Sequence, residues 1–342
     1  MKNIKNKNNK NIFKKLFVKL CRIIGFEIID QSNLYLPTSK KKANENLTVL
    51  GEKSISIPLG ETKITRLVKS LDIIIKTCTS VNLVTQNKKR IFEKEKYEYT
   101  FRTINSIINS LKFNQDLLKK IKIKITIIDY NSKKEHLEKI YDKLEKANFE
   151  FKVINLKLEK FNHIVTRDKK NKVIEENMKA TMASIYTSFE IAKNKCDDLV
   201  YFIEDDYINK KESIFEMIST YEKVSSELNK ELFICPVDYP YLYKKLENSK
   251  ILIGNKYHWR SVNESLLTFL TSTSLINNYW EDLLSMCKNE HSPFEAPLHK
   301  IFEKELCISP IPSLAMHCTN VNSVFGLSPN TDWSKLWDEN EN

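Results

Sequence analysis

Between residues 71 and 203, short apolar runs alternate with longer segments of helical periodicity, and this alternation constrains the fold more than any other feature. The apolar runs are LDIIIK at 71–76, IKIKITII at 121–128, FEFKVINL at 149–156 and LVYFI at 199–203. Between them, 97–111, 133–147 and 177–193 repeat apolar residues at helical spacing. The order β-α-β-α-β-α-β predicts an α/β fold around a mostly parallel sheet covered by helices on both faces. Ligands of such sheets bind beyond the carboxyl ends of the strands, so the residues that end those strands are where chemistry is sought.

Beyond residue 210 the pattern loosens. It predicts helices over 211–228, 276–287 and 297–305, and strands over 232–237, 265–271 and 313–317. Pro236, Pro240, Pro293, Pro297, Pro310 and Pro312 punctuate this part, as expected of a loop-rich region built onto the sheet. Residues 30–65 lack sustained periodicity apart from a short strand-like run at 54–59. The expected division is an arm and irregular extension at 1–70, one half of an α/β domain at 71–210, and a second half with a C-terminal lid at 211–342.

Composition narrows the function. Among 342 residues, 41% are hydrophobic and 29% charged, enough to bury a sizeable core. The five glycines, Gly25, Gly51, Gly60, Gly254 and Gly326, form no G-x-G-x-x-G, P-loop or G-x-S-x-G pattern. That argues against a typical dinucleotide-binding enzyme, a P-loop NTPase and an α/β-hydrolase. Net charge is +11, but residues 1–26 hold eight basic residues and no acid, leaving only +3 for the rest. Arginine supplies six of the 55 basic residues. Base readout and bidentate phosphate clamps favour arginine, so no nucleic-acid partner is expected.

Within the arm, Phe13, Leu16, Phe17, Leu20, Ile23 and Ile24 share one helical face opposite Lys14, Lys15, Lys19 and Arg22. Such a helix lies on an anionic membrane surface or packs on the protein's own body; Lys19 and Arg22 break the apolar stretch too early for a span or a signal sequence. Seven cysteines without a C-x-x-C pattern suit reduced thiols in a cytoplasmic compartment, with peripheral attachment to the membrane's inner face as the accompanying expectation.

Three strand ends carry candidate chemistry. Glu204-Asp205-Asp206 follows LVYFI directly. Adjacent carboxylates there repel one another unless a cation binds, and a hard divalent ion is held by one or two carboxylates plus substrate phosphates; the alternative is a solvated acidic loop. Asp129 ends the second run and leads into Tyr130-Asn131-Ser132, where it either meets a ribose or base N–H or caps the helix that follows. His317 ends the last strand, as a metal ligand suited to Mn²⁺ better than Mg²⁺ or as a structural residue. Trp259, within His258-Trp259-Arg260, is either a platform for a sugar face or a core residue. The tail with Phe325, Trp333 and Trp337 either closes over a ligand or docks as a terminus.

In this order the motifs resemble the metal-dependent nucleotide-sugar glycosyltransferases of the GT-A fold, close to glycosyltransferase family 2. The resemblance spans about 71–325. It rests on IIIKT ending at Thr77 (with Lys76 where proline is usual), on Asp129-Tyr130-Asn131-Ser132, on Glu204-Asp205-Asp206, and on EAPLHKIFEKELCISPIPSLAMH from Glu295 to His317. It implies a GT-A-like three-layer sandwich with a divalent cation, Mn²⁺ or Mg²⁺, as cofactor. Thr77, Asp129, Glu204 and Asp205 would bind the donor, Asp206 and His317 the metal, and Trp259 the acceptor. Glu295 would be the general base, although Ala296 replaces the usual second acid, so Asp238, Glu264 and Glu290 stay in contention. The implied reaction moves a sugar, with inversion, from a nucleotide diphosphate donor such as a UDP-sugar to a cell-surface glycan or lipid acceptor. A sugar nucleotidyltransferase and a non-enzymatic membrane-surface adaptor are the alternatives.

Overall fold

The computed structural model describes residues 12–26, 63–80, 90–167, 169, 171–244, 248–318, 327–328 and 331–341. The chain divides into two compact units, residues 1–62 and 63–342. In the first, α1 (Ile12–Ile23) is the described element, and Leu16, Phe17, Leu20, Ile23, Ile24 and Phe26 are exposed. The strand expected at 54–59 and Phe325 lie outside the described residues.

The second unit is built on the predicted alternation. β1 (Ser70–Thr77) leads through α2 (Lys96–Phe113) and the single turn α3 (Gln115–Leu118) to β2 (Lys122–Asp129). α4 (Lys134–Ala147) leads to β3 (Glu150–Asn155), and the long α5 (Lys172–Lys195) to β4 (Leu199–Glu204). All three neighbouring pairs among β3, β2, β1 and β4 are parallel. Right-handed crossovers put α2 and α4 on one face, and α5, which returns from the edge strand to β4, on the other. Accordingly, three successive residues of β1, Ile73, Ile74 and Ile75, are all buried. Asn171 fixes the start of α5 by accepting the N–H groups of Val173 and Ile174, and α4 ends on left-handed Asn148.

After β4 come β5 (Tyr207–Asn209), α6 (Ser213–Leu228), β6 (Phe233–Ile234), β7 (Ile251–Ile253), β8 (His258–Ser261) and β9 (Phe269–Ser272). They are followed by α7 (Thr273–Asn278), α8 (Trp280–Lys288), α9 (Ala296–Phe302), β10 (Cys307–Ile311), β11 (Ala315–His317) and α10 (Trp333–Asp338). The main sheet runs β3-β2-β1-β4-β9-β6-β10-β8-β7. β9 is antiparallel to β4 and β6, so the sheet is parallel on one side and mixed on the other. The strand expected at 232–237 shortens to two residues, and the helix expected at 276–287 is two helices meeting at Tyr279. β5, β7, β8 and β10 were not legible in the sequence: all are short, and β5 and β10 pair with strands distant in the chain.

β11 is not in the main sheet. It pairs antiparallel with β5, His317 opposite Tyr207, and this two-stranded ribbon carries residue 317 to the end of β4. Among the described residues no helix is long and apolar enough to cross a membrane.

Candidate active site

The strand order reverses direction at β1 and β4, and α/β sheets bind ligands at such a switch point. Register decides what meets there. Lys76 stands beside Glu204 and Thr77 beside Asp129 in the parallel pairing. The side chains follow: Lys76 Nζ lies 3.3 Å from Glu204 Oε1, and the Thr77 hydroxyl donates to Asp129 Oδ1 at 2.7 Å. A cleft of about 780 Å³ opens above these ends. Its floor is Lys76, Thr77, Cys78 and Glu204-Asp205-Asp206; its walls include Arg90, Lys96 and Tyr130. Asn177, Ala180, Thr181 and Ser184, one stripe of α5, close another side.

The three acids have different surroundings. Asp205 is buried and saturated, accepting from the Cys78 N–H at 3.1 Å, the Thr100 hydroxyl at 2.9 Å and the Lys96 ammonium. Glu204 is the more open and faces Lys76. Asp206 Oδ1 lies 3.8 Å from His317 Nε2, and its Oδ2 lies 4.0 Å from Arg90. Burial pushes the Asp206 carboxyl up, but His317, Lys96, Arg90 and Lys76 together hold it below its ordinary range. It therefore stays ionised. His317 is stacked on Tyr207 with ring centres 4.3 Å apart, and the Cys318 N–H donates to the Asp206 carbonyl at 2.8 Å, locking imidazole and carboxylate together.

An ionised carboxylate and an imidazole at this separation fit a divalent cation as a ligand pair. Among the described residues no group of three or more His, Cys, Asp or Glu side chains gathers for one. Substrate phosphate oxygens would have to complete the shell.

Glu295 precedes α9 and is half-buried. Desolvation, with repulsion from Glu204, pushes its carboxyl up to about 7 against the pull of Lys76. It does not line the cleft itself, but it shares an electrostatic neighbourhood with Glu204 and Lys76 at the cleft floor. The other carboxylates named as bases have structural partners. Asp238 is buried against Arg260, which donates to it through Nε at 3.1 Å and Nη2 at 2.8 Å, and it accepts from the Tyr243 hydroxyl at 2.7 Å. Glu290 accepts the Arg167 N–H at 2.7 Å.

Two sequence expectations are corrected. Trp259 is fully buried in β8 and has no face to offer a sugar; Gly254 is what lets the backbone pass its indole, since a Cβ there would lie 2.3 Å from Trp259 Nε1. Asp129 is also buried, with both oxygens engaged, Oδ1 by Thr77 and Oδ2 by the Ser132 N–H at 3.1 Å. It braces the turn through left-handed Asn131, and its neighbour Tyr130 reaches the cleft instead. Residues missed in the sequence are Arg90, Lys96, and Asn177, Thr181 and Ser184. The last three repeat at i, i+4, i+7, a polar stripe that the sequence does display.

No protein-family model matches the chain, and no curated protein matches it. Among solved structures it is similar to S. aureus TarS residues 1–349, at 14% identity over 61% of this chain and a TM-score of 0.34. This chain spans about half (48%) of that one. It is similar to the galactosyltransferase LgtC in complex with donor and acceptor sugar analogues, at 10% identity, 79% of this chain, 95% of that one and a TM-score of 0.40. It is also similar to UDP-glucose pyrophosphorylase complexed with UDP-glucose, at 9% identity, 80% of this chain, 97% of that one and a TM-score of 0.41.

Proposed function

We propose that this protein is a glycosyltransferase that uses a nucleotide diphosphate sugar, with the donor seated in the cleft between the ends of β1 and β4. The observation that carries the reading is the convergence of Glu204-Asp205-Asp206 with His317, two segments more than a hundred residues apart, at the switch point of the sheet. Asp206 and His317 would hold a divalent cation, Mn²⁺ or Mg²⁺, which when bound neutralises charge on the diphosphate. Thr77 and Tyr130 line the nucleotide side, and the Asn177–Thr181–Ser184 stripe offers hydroxyl and amide groups to sugar or ribose.

In the proposed transfer, the acceptor hydroxyl oxygen bonds to the anomeric carbon from the side opposite the diphosphate. The anomeric C–O bond breaks, its electron pair leaving with the diphosphate, and configuration inverts. The hydroxyl proton passes to Glu295, whose raised carboxyl is matched to that task near neutral pH. The acceptor is a glycan or lipid, and α1 with its exposed apolar face would hold the enzyme on an anionic membrane surface. Loss of vesicle binding on deletion of residues 1–26 is the expected result there; unchanged binding at low salt removes the membrane partner.

The test of the function is a panel of UDP-, GDP- and ADP-sugars incubated with the full chain, with Mn²⁺, Mg²⁺ or a chelator. The expected result is slow, metal-stimulated release of free sugar and nucleoside diphosphate from one donor. Release of pyrophosphate from a nucleoside triphosphate and sugar phosphate would make it a nucleotidyltransferase. Turnover of no donor leaves the adaptor reading, and undiminished turnover in chelator removes the metal.

A further inference from the structure

We propose that Arg90 grips the diphosphate of the donor, as the one cation among the described residues of the cleft that is built to accept a ligand. This rests on the donor-site reading above. Among the described residues three cations line the cleft, Lys76, Arg90 and Lys96, facing three acids. Lys76 and Lys96 each hydrogen-bond their carboxylate, Glu204 and Asp205. Arg90 does not: its guanidinium stops 4.0 Å from Asp206, beyond hydrogen-bond reach, and its Nη1 is buried with no hydrogen-bond partner among the described residues. A buried donor left without an acceptor is costly, and a phosphate in the adjoining cleft would remove that cost. The planar guanidinium fork also matches two phosphate oxygens, which a lysine cannot do.

Arg90 is held for this. Its guanidinium lies over the Tyr99 ring, 5.1 Å from the centroid, and the Tyr99 hydroxyl donates to the Ile91 carbonyl. Phe92 stacks on Trp337 of α10 at 4.2 Å, and Tyr99 meets the same indole edge-on at 4.9 Å. Trp337 is backed in turn by Arg102, 4.1 Å from its ring centre, and the end of the chain is tied down where Asn105 donates to the Asn340 carbonyl at 2.9 Å. Phe92 and Glu93 take left-handed backbone at φ 72° and 48°, uncommon for residues with a Cβ and sustained here by that packing. A donor fixed before the ligand arrives stabilises the charge that develops on the departing diphosphate without reorganisation at that moment.

The experiment is calorimetric binding of UDP and UMP to the full chain and to Arg90→Ala and Arg90→Lys, with melting curves recorded on each. UDP and UMP differ by the phosphate at issue. In chelator, the wild-type chain is expected to prefer UDP. Arg90→Ala should lose about ten- to a hundredfold in UDP affinity and leave UMP affinity in place, with partial recovery in Arg90→Lys. Arg90→Ala that binds UDP as the wild type does, or that weakens UDP and UMP alike at an unchanged melting temperature, overturns the assignment. If the wild-type chain binds UMP but shows no preference for UDP, Arg90 is refuted while the donor site stands. If it binds no uridine, guanosine or adenosine nucleotide with or without Mn²⁺, the donor site itself falls and Arg90 with it.

Discussion

Two sets of buried or half-buried charge, one on each side of the sheet, look alike in sequence and do opposite work. On the mixed side, Arg260 and Asp238 form a closed pair: Arg260 gives Asp238 two hydrogen bonds, stacks on Tyr243 at 3.9 Å, and Tyr243 gives Asp238 a third. On the parallel side, Asp206 and Arg90 face each other at 4.0 Å without closing. A closed set has spent its hydrogen-bonding capacity on the fold. An open one keeps it for something that arrives. Satisfaction, more than burial or residue type, separates scaffold from site.

The largest expected effect that sharpens this contrast is at Glu295. Glu295→Gln keeps shape and removes the proton acceptor, so turnover should fall by roughly 10²–10⁴ with nucleotide affinity unchanged. Only the ionised base works, so wild-type turnover should rise as pH passes through about 7. Stability moves the other way. The folded protein holds this proton to about 7 against an ordinary value of 4.5, so the native state binds more protons in that window and stability falls as pH rises through it. Glu295→Gln should therefore melt higher than the wild type at pH 8 and lose that advantage at pH 4. Near-normal turnover, or a loss confined to donor affinity, means another carboxylate is the base.

A smaller effect, on stability, is expected at the closed pair. Arg260→Met leaves Asp238 buried and unpaired, at a cost of about 3–5 kcal/mol in denaturant unfolding. By contrast, Asp206→Asn loses no hydrogen bond of its carboxylate, only the attraction of His317, Lys96, Arg90 and Lys76, so its stability loss should be clearly smaller than that of Arg260→Met. Its effect belongs to Mn²⁺-dependent nucleotide binding. Equal stability losses in the two variants would erase the distinction between closed and open sets.

Much of the parallel half was legible because it is local. Ile73, Ile74 and Ile75 declare a strand covered on both faces, and Glu204-Asp205-Asp206 declares where β4 ends. The mixed half was harder to read: β6 is two residues long, and its place comes from β9 and β10, which follow it in sequence. Trp259 shows the limit well. An aromatic between polar neighbours on a short strand reads equally as a platform or as core, and Gly254, five residues earlier, makes room for it inside.

The sequence by itself determined the β-α alternation, the carboxyl ends that matter and the acids that occupy them, since strand and helix periodicity and side-chain type act over a few residues. Only the tertiary structure decided which of those acids is available. The pairing of β5 with β11 brings His317 to Asp206 across more than a hundred residues, the start of α2 puts Lys96 and Thr100 on Asp205, and Thr77 turns Asp129 inward. Those contacts follow from register and packing between distant segments, which local spacing does not encode.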